Sequence, residues 1–266
     1  MKNLLIFLTV NDFSMPLFLT ENIKNDIHID FCLLSEKNEN IVRKINSKKF
    51  NYIYIRDPFT DERITHKEVI LKVETIIKNK NNSYMVDGID KMEYIFFEDK
   101  WSQYLLFSDV MPKTGLVNKN LSLKKGENYI FKKRISSRGR GISFSLDGIQ
   151  CKKSSCIYQK RLDIKKEYRV FILFGKIVEI VAVKSSKTEN TKIKVVGKKK
   201  ISKKLCNFIG TFSDRIKFDF VGIDIAEDGK GCFYVLEINR SCLFNAFYNQ
   251  TGVNLAESFV RELLKK

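Results

Sequence analysis

The chain is poor in the residues that build metal-thiolate or disulfide frameworks. It has two histidines, His28 and His66, and six cysteines, Cys32, Cys151, Cys156, Cys206, Cys232 and Cys242, with no CxxC pair. A zinc site is therefore disfavoured. Several of these cysteines interrupt apolar runs, where Cys behaves as a small buried hydrophobe. A reducing cytosol suits that pattern better than a disulfide scaffold, and a Cys151–Cys156 pair is not expected. Only 3 Pro and 13 Gly occur beside 44% hydrophobic and 30% charged residues, which argues against a long disordered tail. No apolar stretch is long enough to span a bilayer. The apolar run at residues 4–8 is short, and Asn11-Asp12 follows it without a small-residue cleavage site, so it reads as a buried first strand and not a signal segment. The expectation is a soluble, cytoplasmic protein. A GxxxxGK[ST] phosphate loop and the protein-kinase catalytic signature are both missing.

What is present in excess is positive charge. Against 31 Asp and Glu stand 48 Lys and Arg, a formal net charge of +17. That is enough to attract nucleic acid, an anionic membrane or acidic small molecules. A solvated basic surface accounts for much of it, given how many lysines accompany abundant Asn and Ile. At 266 residues the chain can bury a sizeable core.

Apolar runs at residues 4–10, 29–34 and 52–55 precede a helical pattern in which Val69, Val73, Ile76 and Ile77 share a face, so the first part reads as an open α/β sheet. A short strand is expected at 83–86. A helix then starts at Asp99-Lys100-Trp101 and stops before Met111-Pro112. From Tyr129 the texture changes to antiparallel strands at 129–132, 156–159, 167–174 and 176–183, the last two joined at Gly175. A helix over 202–216, strands at 219–226 and 232–239 and an amphipathic helix over 254–266 complete the reading.

Three groups of residues could carry chemistry. Asp224 lies on one strand, while Glu237 and Asn239 lie on the next and share a face by alternation. The turn at 227–231 folds the two strands together. Three hard oxygen donors then converge, a set suited to Mg²⁺ on nucleotide phosphates. Acids in apolar strands are costly unless used, which ranks this above simple charge pairing. Lys132, on an apolar strand, leads into a loop containing Ser136, Arg138, Gly139, Arg140 and Gly141, whose backbone can approach phosphate. Gln159, Lys160 and Leu162 precede a strand bearing Glu167 and Arg169.

In this order the features resemble the ATP-grasp superfamily over roughly the last two-thirds of the chain. Residues 220–225, 235–239 and 250–256 look most like its RimK-type and glutathione-synthetase-type amino-acid ligases. The resemblance implies an α/β (α+β) ATP-grasp fold with an N-terminal open α/β domain at 1–97. A central subdomain at 98–160 and a C-terminal subdomain at 161–266 would clasp ATP. It implies that Lys100 and Lys132 contact the phosphates, that Ser136, Gly139 and Gly141 form the loop over them, and that Gln159, Lys160 and Leu162 form the adenine hinge. Glu167 would hold the ribose, Arg169 the γ-phosphate and acyl-phosphate, and Asp224, Glu237 and Asn239 the Mg²⁺, with Mn²⁺ as the alternative ion. By analogy a substrate carboxylate attacks the γ-phosphate, and an amine displaces phosphate from the acyl-phosphate, releasing ADP.

Departures from the pattern lie at Lys133, where Pro is usual, at Gln159, where Glu is usual, and at 185–197 and 240–243 on the acceptor side. The acid and amine are therefore left open, with Lys184 and Arg240 as candidates for gripping an anionic substrate such as a peptide, an amino acid or an acidic sugar. A homo-oligomer is compatible with the sequence. Two other readings explain less. A non-catalytic nucleotide-binding or basic interaction protein on this scaffold leaves the intact acids and lysines idle. Nucleic-acid binding through 198–204 and 134–140 lacks interleaved aromatics.

Overall fold

The computed structural model describes residues 1–10, 15, 16, 19, 23, 25–56, 58–60, 63–88, 98–118, 121, 123, 127–136, 141–147, 154–184, 192–195, 201–240, 242 and 244–266. Three sheets organise them. The first is parallel, in the order β2-β1-β3-β4, from β1 (Lys2–Leu8), β2 (Ile27–Leu33), β3 (Tyr52–Ile55) and β4 (Tyr84–Met85). Leu4, Leu5, Ile6 and Phe7 of β1 are all fully buried. A strand with such a continuous apolar run must be covered on both faces. Helices α1 (Asn38–Asn46) and α2 (His66–Asn79) supply one cover: Ile41, Ile45, Val69, Val73 and Ile76 pack on Leu5, Phe7, Ile53 and Ile55. A capping box starts α2, in which Thr65 accepts from Glu68 N–H at 3.2 Å and Glu68 accepts from Thr65 N–H at 2.6 Å.

A small antiparallel sheet follows helix α3 (Lys100–Phe107), in the order β5-β8-β6-β7, from β5 (Thr114–Leu116), β6 (Tyr129–Lys133), β7 (Ile142–Ser143) and β8 (Cys156–Lys160). The large antiparallel sheet runs β11-β10-β9-β12-β13, from β9 (Ile164–Leu173), β10 (Lys176–Lys184), β11 (Lys192–Val195), β12 (Phe220–Asp228) and β13 (Phe233–Asn239). One of its faces is largely apolar: Val170, Ile172, Val221, Ile223, Ile225, Val235 and Ile238 form one core with Leu205 and Ile209 of α4 (Lys203–Gly210) and Phe107 of α3. The other face is divided. Phe171, Leu173 and Phe220 join the core under the first sheet, while Glu167, Arg169, Asp224, Glu237 and Asn239 occupy the rest.

After α5 (Asn245–Thr251), the last helix, α6 (Leu255–Leu263), returns to the opposite face of the first sheet, burying Leu255, Ala256, Phe259, Val260 and Leu263 against Leu4, Ile6 and Tyr54. Lys2 Nζ donates to Leu264 O at 3.1 Å, so the described ends of the chain meet. The N-terminal unit thus borrows its second cover from the segment grouped by sequence with the C-terminal one. The expected helix over 202–216 is also shorter: Ser202 caps α4, accepting from Leu205 N–H at 3.1 Å, and after Gly210 only a single 3-10 turn at 213–215 continues. Among the described residues, no helix is long and apolar enough to cross a membrane. Cys32, Cys206, Cys232 and Cys242 are free thiols, but Cys156 is disulfide-bonded, which corrects the expectation that no disulfide forms.

Candidate active site

The divided face of the large sheet carries the acids. Asp224 on β12 pairs in register with Glu237 on β13 and with Arg169 on β9, and Gly222 pairs with Asn239. A register shift between Asp224 and Ile225 leaves Leu236 as an extra residue in β13. Such a bulge re-aims the strand. It lets Val235 and Ile238 both face the apolar core while Glu237 and Asn239 face the polar side with Asp224.

Asp224 is held from two directions. Arg169 grips it bidentately, through a short contact from Nε to Oδ1 and a 2.8 Å bond from Nη2 to Oδ2. Asn239 Nδ2 donates to Oδ2 at 3.3 Å. Burial nonetheless raises the Asp224 carboxyl above its ordinary range, and Arg169 offsets this only in part. Burial opposes the charge on Arg169, but Asp224 outweighs it and the guanidinium's pKa rises. Glu167, two residues before Arg169 on the same face, is pushed up by burial and then by Asp224.

The lysines arrive from the other sheet and from α3. Asp99 caps α3, accepting from Trp101 N–H at 3.0 Å, and also pairs with Arg134. Lys100, in the first turn and 8% exposed, meets Glu237 Oε1 at 2.9 Å and donates to Ser136 O at 2.6 Å. Lys100 N–H bonds Arg134 O at 3.0 Å, so the start of the Ser/Gly loop is anchored on the helix N-terminus. Lys132 on β6 donates to Gln159 Oε1 at 2.7 Å, and Gln159 Nε2 donates to Thr114 Oγ1 at 3.1 Å. Burial lowers the pKa of Lys132; Glu237 and Asp224 work against this, and Lys100 adds to it. Lys132 therefore lies in the field of the same acids.

Lys160 is set further out, pairing with Glu127 at 3.2 Å, while its N–H bonds Lys113 O at 2.8 Å; Leu162 follows it. Gly141 has φ +72, a backbone that favours glycine, and closes against Lys133 N–H at 2.9 Å. Gly139 lies outside the described residues, as do the side chain of Lys184 and most of 185–197.

Arg240 is placed differently from its expected substrate-facing role. It is 1% exposed, and its guanidinium bonds Ile55 O at 2.8 Å, Asp87 Oδ2 at 3.0 Å and Glu98 Oε1 at 3.2 Å. Asp87 in turn accepts from Asp219 N–H at 2.9 Å and Phe220 N–H at 3.0 Å. Burial pushes the Asp87 carboxyl up to about 6 despite Arg240. This buried cluster ties the first sheet to the large one immediately behind Asn239. Sequence reasoning missed Asp87, Glu98 and Gln103. Their only sequence signal is polarity inside or beside apolar segments.

Gly222 is required by close approach: a Cβ there would stand 2.7 Å from Cys242 Cβ and 3.4 Å from Arg169 Cδ. Gly222→Ala is expected to cost about 1–3 kcal/mol through overpacking, read as a lower urea midpoint. An unchanged midpoint would show that Cys242 can move aside.

Among the described residues, no group of three or more His, Cys, Asp or Glu side chains could hold a metal. The converging donors are instead two carboxylates and one amide, all hard oxygen ligands on one face of the large sheet. That set fits Mg²⁺ shared with phosphate oxygens, because Mg²⁺ takes few protein ligands when phosphates complete its shell.

No protein-family model matches the chain, and no curated protein does. Solved structures do. The ATP-grasp ligase PsnB, complexed with a minimal precursor, is 13% identical, with a TM-score of 0.71 over 99% of both chains. The macrocyclase MdnB from Microcystis aeruginosa MRC is 13% identical, with a TM-score of 0.71 over 100% of both. D-alanine–D-alanine ligase from Bacillus anthracis, complexed with ATP, is 13% identical, with a TM-score of 0.66 over 100% of this chain and 96% of that one. With its parallel N-terminal sheet, its two antiparallel sheets and this full-length likeness, the chain has the ATP-grasp fold.

Proposed function

We propose that the chain is an ATP-dependent carboxylate–amine ligase of the RimK and glutathione-synthetase type. The observation that carries this reading is the convergence of Lys100, Lys132 and Arg169 on Asp224, Glu237 and Asn239 from a helix and two sheets. Each acid of the cluster has a cation at hand; a polyphosphate would draw those cations to itself, and a divalent ion would take their place on the acids. Lys100 and Lys132 bind the phosphates. Gln159, Lys160 and Leu162 line the adenine end, and Glu167 accepts from the ribose hydroxyls. Asp224, Glu237 and Asn239 hold Mg²⁺, with Mn²⁺ as a substitute. The ion supplies neutralisation of phosphate charge.

Arg169, whose Nε and Nη2 hold Asp224, would turn its Nη1 and outer Nη2 N–H groups to the transferring phosphoryl group, a paired geometry lysine cannot supply. A substrate carboxylate oxygen bonds to the γ-phosphorus as the bond to the ADP oxygen breaks. An amine nitrogen then bonds to the acyl carbon, phosphate leaves and the nitrogen loses its proton. The likeness to PsnB, solved with a precursor peptide bound, and to MdnB, a macrocyclase, favours a peptide as the carboxylate donor.

Hydroxylamine tests the acyl-phosphate. With ATP, Mg²⁺ and a pool of Glu- and Asp-containing peptides, hydroxamate should form in step with ADP. ADP release that depends on peptide yet yields no hydroxamate would contradict the intermediate.

A further inference from the structure

On the edge strand β13 the main chain between two of the cleft residues is fastened by a side chain. Gln103, 2% exposed, donates through Nε2 to Ile238 O at 2.9 Å and accepts through Oε1 from Ile238 N–H at 3.1 Å. The amide thus satisfies both backbone groups of Ile238 on the side away from β12, as another strand would. Ile238 stands between Glu237 and Asn239. Gln103 also lies one turn after Lys100 on α3, so a single helix holds the side chain of Glu237 through Lys100 and the next peptide units through Gln103. Ile238 itself is buried against Phe107 and Val110, which opposes rotation of the strand, whereas the amide opposes sliding along it.

We propose that Gln103 is a positioning residue for the metal pair Glu237 and Asn239, setting Mg²⁺ affinity without touching the ion. This rests on the metal assignment above. Neither lysine does the same task, because each meets side chains or loop carbonyls and not the β13 main chain.

The test is Mg²⁺ titration of ADP binding, followed with a fluorescent ADP analogue, alongside binding of the same analogue in EDTA. Gln103→Met keeps length and apolar volume but removes both bonds. It should raise the Mg²⁺ concentration for half-maximal effect about 10–100-fold, the usual cost of losing a partner that orients metal ligands, with affinity in EDTA unchanged. Gln103→Leu likewise removes both bonds, so it should show the same shift and serves if the Met variant does not fold. Wild-type Mg²⁺ dependence in both variants, with Glu237→Ala defective, would overturn the positioning role and leave the site reading standing. Equal losses with and without Mg²⁺ would make Gln103 mere scaffold and also overturn it. Absence of any Mg²⁺ effect in the wild type would remove the metal assignment and this inference with it.

Discussion

Replacing Arg240 by alanine is expected to destabilise the fold by about 3–5 kcal/mol, the cost of breaking a buried ion pair from one side. Two carboxylates depend on this guanidinium, and Asp87 has no solvent to fall back on, since its side chain and that of Arg240 are both 0% exposed. Ile55 O would lose its 2.8 Å donor as well. The loss should appear as a large drop in urea midpoint with little change in slope. A substrate-gripping arginine behaves oppositely: its removal leaves the midpoint in place and raises KM. Arg240→Ala with wild-type stability and a raised KM would restore the substrate-facing role.

Arg240 reads one way in sequence and another in the fold for a physical reason. A basic residue directly after Glu237-Ile238-Asn239 looks like part of the polar face. Its burial depends on Asp87, more than 150 residues earlier, and on Glu98, neither of which local pattern connects to it. Gln103 is hidden for the same reason: its partner is the backbone of Ile238. Periodicity carried what depends on neighbours in sequence. The apolar run of β1, the buried face of α2, Asp99 before α3 and the acids interrupting β12 and β13 all fall where the pattern places them. By contrast α1 buries only Ile41 and Ile45, too thin a stripe to signal a helix. The three-residue β5 exists only because Thr114, Gly115 and Leu116 find β8 as a partner. The bulge at Leu236 belongs to this second class, since the count of residues in β13 has meaning only against β12.

The chemistry rests most heavily on Glu237. Its carboxylate faces Asp224 across the strand pair and meets Lys100 at 2.9 Å. Removing it takes away a proposed metal ligand and the carboxylate that Lys100 meets, and leaves Asp224 alone to offset the burial of Lys132. The fold should tolerate the change, because the Glu237 side chain is 30% exposed and the buried Lys100 keeps its 2.6 Å bond to Ser136 O. Turnover should not. Loss of one electrostatic contact to a developing charge costs about 10²–10³ in rate, and loss of a metal ligand adds to that. Glu237→Gln retains an oxygen donor but not the charge and should fall between alanine and wild type.

ADP release from ATP by the wild type and by Glu237→Ala, each at rising Mg²⁺ with acidic peptide present, is the most direct measurement. Mg²⁺-dependent release is expected from the wild type and a fall of at least about 100-fold in the variant, with unchanged thermal unfolding. Equal turnover in the two proteins would contradict the assignment of this cleft as the site of ATP chemistry.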